Sequence, residues 1–119
     1  MTTDLQQYRD DDFCYLTTLG RRTGRPHTIE IWFALHNTTI YMLAGGRDRS
    51  DWVRNLMQNP QVQVRLGETT LQGQGRVVSA PTEDALARRL LFEKYTPRDS
   101  DDLTSWSQSA LPVAIEIGI

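Results

Sequence analysis

Two clusters of residues in this chain have the types and spacing to grip an anion. The first is the run Gly20-Arg21-Arg22-Thr23-Gly24-Arg25-Pro26, bounded by glycines and dense in guanidinium groups. Glycine permits backbone conformations that aim several N–H groups at one point, and arginine adds charge-assisted hydrogen bonds worth roughly 1.5–3 kcal/mol each. The same run also reads as a polar hairpin turn whose arginines face solvent. The second cluster is Gly45-Gly46-Arg47, followed by Ser50 as a helix N-cap and Asp51 in the first turn. A strand, two glycines and a helix N-terminus present free N–H groups and the positive end of the helix dipole. It is not a Walker loop, because the terminal Gly-Lys-Ser/Thr is absent. Trp52 and Asn55 lie three apart on one helical face, placed to stack on a flat ring and to hydrogen-bond it. Packing of Trp52 with Leu56 in the core is the competing reading.

The chain is poor in acid–base machinery of its own. Cys14 is the only cysteine, so an internal disulfide and a cysteine-rich metal site are excluded, and its place in a strand reads as buried and inert. His27 and His36 are nine apart on one expected strand, an odd offset that points them to opposite faces and away from a shared metal. His36, beside a turn, reads as solvated. The acidic runs Asp10–Asp12 and Asp99–Asp102 read as solvated caps and loops. No catalytic side chain and no metal site is expected, and an enzyme of this kind would rely on a borrowed cofactor.

Composition frames these clusters. A chain of 119 residues with 39% apolar and 24% charged residues is one soluble domain, 1–119, without a run long enough to span a bilayer. Its acidic amino terminus does not resemble a secretory signal, which points to the cytoplasm. The net charge of −2 argues against a general nucleic-acid binder, and so does an aromatic content of 8% for a barrel stacking single-stranded bases. Of the 13 basic residues all but Lys94 are arginine, the residue whose planar fork suits phosphate and carboxylate. Residues 20–54 carry six of these arginines against three acids, a local excess that fits a small anion.

The elements that must position these residues follow from periodicity. Phe13–Leu19 reads as a first strand, and His27–His36 as a second, with Ile29, Ile31, Phe33 and Leu35 on one face. Asn37-Thr38 turns into a third strand, Ile40–Ala44. A helix runs from Ser50 to about Asn59, where Pro60 stops it. Val62, Val64 and Leu66 mark a fourth strand, and Leu71–Ser79 a fifth, whose internal Gly73 and Gly75 signal a bulge, a bend or a close approach. Thr82 caps a second helix, Glu83–Tyr95, with Leu86, Ala87, Leu90 and Leu91 as its apolar stripe. The alternating Leu111, Val113, Ile115, Ile117 and Ile119 form a sixth strand. Six short strands with two or three short helices predict a mainly β, mostly antiparallel small barrel, since closure removes exposed edges.

Three stretches together resemble the deazaflavin-dependent nitroreductases, relatives of the pyridoxamine-phosphate-oxidase-like split barrels. They are Leu16–Thr28 with Trp32-Phe33, then Trp52-Val53-Arg54-Asn55-Leu56-Met57-Gln58-Asn59-Pro60-Gln61-Val62, and finally Leu111–Ile115. The resemblance covers nearly the whole chain. It implies a split β-barrel of the FMN-binding type, commonly a homodimer, that binds coenzyme F-420 (or FMN) and passes a hydride to quinones, nitroaromatics or other electron-poor acceptors. A flavoprotein using FMN, or a protein that binds the cofactor without turnover, are the alternatives. By position, the resemblance places the phosphate-binding turn on Arg21, Arg22, Thr23 and Gly24. It places the residues along the cofactor ring on His27, Ile31 and Trp32. The loop and helix that hold the tail fall on Ala44, Gly45, Arg47, Asp51, Trp52 and Asn55. These coincide with the two anion-binding clusters read from the residues themselves.

Overall fold

The computed structural model describes residues 4–118. The strands are β1 (Cys14–Leu19), β2 (Pro26–Ile31), β3 (Ala34–His36), β4 (Thr39–Ala44), β5 (Gln61–Leu66), β6 (Thr69–Val77) and β7 (Leu111–Ile117). The helices are α1 (Asp51–Gln58), α2 (Pro81–Tyr95) and α3 (Thr104–Ser109), with short 3-10 turns at Leu5–Tyr8 and Arg47–Arg49. All strands join one sheet in the order β2-β1-β5-β6-β7-β4-β3, every pairing antiparallel. Ile119, the last residue of the expected final strand, lies outside the described residues.

Among the described residues there are seven strands and not six, because the expected strand His27–His36 is broken. Phe33 and Ala34 are both buried, which interrupts the two-residue alternation, and the chain leaves the sheet at Trp32-Phe33. On one side of the break β2 pairs with β1, and on the other β3 pairs with β4, so consecutive strands occupy the two ends of the sheet. Three residue steps from Ile31 to Ala34 reach at most about 11 Å. The two edges are therefore drawn together and the sheet is forced to curl into a split barrel. His27 and His36, expected on opposite faces of one strand, instead sit on different strands at opposite sheet edges, and both are exposed.

Curling needs room inside. A Cβ at Gly73 would meet Ile115 Cγ2 at 2.8 Å and the Glu116 carbonyl oxygen at 2.9 Å, and one at Gly75 would meet Ile115 and Leu56. Close approach is thus what these strand glycines allow. The interior is filled by Leu16, Phe33, Met42, Leu56, Val64 and Ile115, with α1 plugging one end. A second cluster lies on the outer side, where Ala87, Leu91 and Tyr95 of α2 cover Tyr41, Leu43 and Ala114, with Leu86 and Leu90 packed at its margin. Burying two faces of the central strands explains why β4 and β7 are apolar almost throughout.

Three details of the helices depart from expectation. Helix α2 begins at Pro81 with Ala80 at its cap, not at Thr82, since proline suits the first helical position and its missing N–H costs nothing there. Ser50 does occupy the N-cap of α1, but its side chain makes no capping hydrogen bond. Helix α3 is the third of the expected two or three, on a six-residue Thr- and Ser-rich stretch to which periodicity assigns no helix, with Asp102 Oδ1 accepting the Thr104 N–H at 2.9 Å just ahead of it.

Candidate cofactor groove

The β1–β2 turn is a rigid loop built by its glycines. The Gly20 N–H donates to the Arg25 carbonyl and the Gly24 N–H to the Gly20 carbonyl, each at 2.8 Å. Gly24 has φ +73°, a left-handed conformation that a side chain would strain. Gly20 is needed for space, because a Cβ there would lie 2.9 Å from His27 Nε2 and 3.2 Å from Thr23 Oγ1. Thr23 Oγ1 in turn accepts the Arg25 N–H at 3.3 Å.

Helix α1 ties this turn to the barrel through one buried side chain. Asn55 Oδ1 accepts both the Arg21 main-chain N–H (3.2 Å) and its Nη1 (2.9 Å), while Asn55 Nδ2 donates to Thr18 Oγ1 at 3.2 Å. Arg21 Nη2 also pairs with Asp51 Oδ1 at 3.2 Å. Arg21 is therefore held by the first two turns of α1. Arg22 and Arg25 are exposed, and neither guanidinium has a hydrogen-bond partner among the described residues. Arg22 beside the groove is accordingly free for an anionic guest.

Between the turn, α1 and the inner face of β2 lies a groove of about 750 Å³. Seven of the expected site residues line it: Arg21, Arg22, Thr23, His27, Asp51, Trp52 and Asn55. Thr18, Gly20, Pro26, Thr28 and Ile29 complete its walls. Gly24 shapes the turn without lining the groove. Trp52 combines both readings of it, for it borders the groove while packing against the inner core. One end is rich in donors and positive charge; the rest is walled by Ile29 and Trp52.

Ile31 and Trp32 fall in a second hollow of about 410 Å³, with Glu30, Leu43, Leu103 and Trp106. Ile29 borders the groove and Ile31, the next residue on that face of β2, borders the second hollow, where Trp32, Leu43, Leu103 and Trp106 belong to the outer cluster. The Trp32 ring stacks on Tyr95, centroids 4.2 Å apart and planes within 2°, and meets Trp106 at 5.5 Å and 89°. Leu103 and Trp106 were missed as site residues because they belong to α3 and its approach.

The remaining expected residues do not border the groove. Ala44 is buried in the inner core. Gly45 is exposed beside Trp106. Arg47 adopts φ +53°, and its guanidinium donates to the Ser109 carbonyl, which ties the β4–α1 loop to the end of α3. Cys14 is buried in the barrel, where desolvation pushes its thiol up to about 12, so it stays protonated and unreactive at neutral pH.

A curled antiparallel sheet closed around an apolar interior, with a cationic turn beside a half-apolar groove, is a split β-barrel. The family model for F-420H(2)-dependent quinone reductases matches residues 3–117, and the chain belongs to that family. It is thus an oxidoreductase of F-420-dependent type. Among solved structures, an F-420-H2-dependent reductase is similar at 24% identity and TM-score 0.69, over 91% of this chain and 95% of that one. A Listeria innocua protein named for pyridoxamine 5'-phosphate oxidase is similar at 15% identity and TM-score 0.70, over 97% and 90%. A protein solved as a domain-swapped dimer is similar at 24% identity and TM-score 0.70, over 92% and 81%. At these identities the structures share the fold.

The groove suits the family's cofactor by the chemistry of its donors. An anionic tail would need guanidinium forks and N–H groups, which the β1–β2 turn has, and a flat ring would need apolar walls, which Ile29 and Trp52 offer in the groove and Ile31 and Trp32 in the second hollow.

Proposed function

We propose that this protein uses coenzyme F-420 to reduce a quinone, a nitroaromatic or a similar electron-poor acceptor. When bound, the reduced cofactor supplies the hydride; the protein's own residues bind, orient and shield. Arg22, together with Arg21 held by Asn55, takes the anionic tail. Thr23 and the N–H groups of the turn complete that hold, and the N-terminus of α1 with Asp51 and Trp52 bounds it. His27, Ile31 and Trp32 lie along the ring, and the hollow beside Trp106 admits the acceptor. Gly24 keeps the turn in shape, while Ala44, Gly45 and Arg47 set the loop that leads into α1. No side chain need donate a proton, since water can supply it to the reduced acceptor.

The observation that carries this reading is the placement along β2 of a groove bearing the arginine turn and, further along the same strand, a hollow walled by Trp32 and Trp106. The test is a fluorescence titration with F-420, FMN and FAD, followed by anaerobic mixing of the F-420-reduced protein with menadione. Tight F-420 binding with oxidation by menadione is expected. Preference for FMN would assign a flavoprotein, and tight binding with no oxidation would assign a carrier. A homodimer accords with the domain-swapped neighbour and is checked by sedimentation. No helix among the described residues is long and apolar enough to cross a membrane, and a cytoplasmic location goes with this reading.

A further inference from the structure

Where the chain breaks between β2 and β3, the backbone of Phe33 has no strand partner, yet a buried peptide group must be satisfied. Two consecutive side chains at the end of α2 satisfy it. The Tyr95 hydroxyl accepts the Phe33 N–H at 2.9 Å and donates to the Asp12 carbonyl at 2.8 Å, and Lys94 Nζ donates to the Phe33 carbonyl at 2.9 Å. Lys94 Nζ also sits 3.7 Å above the Phe33 ring centroid. The Tyr95 ring, 1% exposed, is the one that stacks on Trp32. A single phenol therefore fixes both the backbone at the break and the plane of the preceding indole. Ala87 and Leu91 already dock α2 on the sheet, so the reach of Tyr95 and Lys94 to the break serves something other than attaching the helix.

We infer that Tyr95, supported by Lys94, is a positioning residue that sets the plane of Trp32 and thereby the placement of cofactor ring and acceptor along β2. The inference rests on the reading of Trp32 given under the proposed function. Stacking covers one side of the indole and Trp106 meets it at right angles, so the wall of the acceptor hollow stands in place before any ligand arrives. On that reading the anionic tail lies in the other hollow, whose lining includes neither Tyr95 nor Lys94. Orientation of the ring and affinity for the tail should consequently separate.

The test is a double-mutant cycle of Tyr95→Leu and Trp32→Leu; if Tyr95→Leu does not fold, Tyr95→Phe takes its place, keeping the ring but releasing the Phe33 backbone that carries Trp32. Near-ultraviolet circular dichroism of the unliganded protein should lose its indole signature in Tyr95→Leu while the far-ultraviolet spectrum is retained. The F-420 dissociation constant should change less than about threefold, whereas the single-turnover rate with menadione falls about ten- to a hundredfold, the cost of a misplaced reactant. In the Trp32→Leu background the Tyr95 substitution should cost less than about twofold, because the two act as one unit. If Tyr95→Leu does not fold, Tyr95→Phe should slow turnover by about threefold or more at unchanged dissociation constant, and only when Trp32 is present. Additive losses, or a dissociation constant that rises in step with the rate loss, would overturn the inference alone. A wild-type protein that neither binds nor oxidises reduced F-420 would overturn the functional reading and this inference with it.

Discussion

Asn55 Oδ1 receives two hydrogen bonds from one residue, the main-chain N–H and the guanidinium of Arg21, at 3.2 and 2.9 Å. Through its amide nitrogen Asn55 also holds Thr18 on the neighbouring strand, all from a position 4% exposed. One side chain on α1 thus aligns the turn, the helix and β1 around the groove. Asn55→Leu should orphan these groups and destabilise the fold by about 1–3 kcal/mol. Urea unfolding measures that loss, and the same variant should bind F-420 more weakly even at low urea.

Arg22 differs from Arg21 in that its guanidinium has no hydrogen-bond partner among the described residues. Arg22→Ala should weaken F-420 binding by about tenfold or more, the worth of one charge-assisted hydrogen bond, without moving the unfolding midpoint. The wild-type dissociation constant should rise with salt more steeply than that of the variant. Arg47→Ala acts only through the loop that its bond to Ser109 ties down, so its effect on affinity should be the smaller of the two. An unchanged dissociation constant in both variants would remove the arginine turn from the site.

Gly73→Ala tests the curl of the barrel. Its Cβ would fall under 3.0 Å from both Ile115 and the backbone at Glu116, and backbone cannot step aside cheaply. A destabilisation of about 1–3 kcal/mol, seen as a lowered thermal midpoint, is the expected cost of this overpacking. Cofactor affinity should be preserved at temperatures where the variant is folded.

Lys94 gives a pH signature. Desolvation, aided by the nearby Arg98 charge, lowers its amine from 10.5 to about 8 in the folded protein. Between about pH 8 and 10.5 the unfolded chain therefore holds a proton that the folded chain has released, and this group makes stability rise with pH. Below about 8 both forms are protonated and its slope vanishes. Cys14, raised from 9.0 to about 12, acts in the opposite sense above pH 9, so the measure is the difference between wild type and Lys94→Met. Urea midpoints across pH 7 to 11 should show wild type gaining on the variant as pH rises; parallel curves would contradict the burial of this amine.

Much of this protein was legible from residue order alone. Alternation in β5 and β7, the aromatic and β-branched run of β1, the proline stops, and the stripe Ala87-Leu91 are local patterns, and they placed most elements within a few residues. The glycine-bounded turn stood out because glycine and arginine carry their chemistry wherever they stand, and Gly20, Arg21, Arg22 and Thr23 do line the groove. Tertiary structure decided what depends on distant partners. Trp32 and Phe33 continue a good strand pattern, yet they leave the sheet because Tyr95 and Lys94, some sixty residues on, offer the break its hydrogen bonds. Arg47 looked as suited to an anion as Arg22, but the carbonyl of Ser109 at the end of α3 engages it, and nothing near it in the chain reveals that acceptor. Local chemistry states what a side chain is able to bind, and long-range packing states whether it is already occupied.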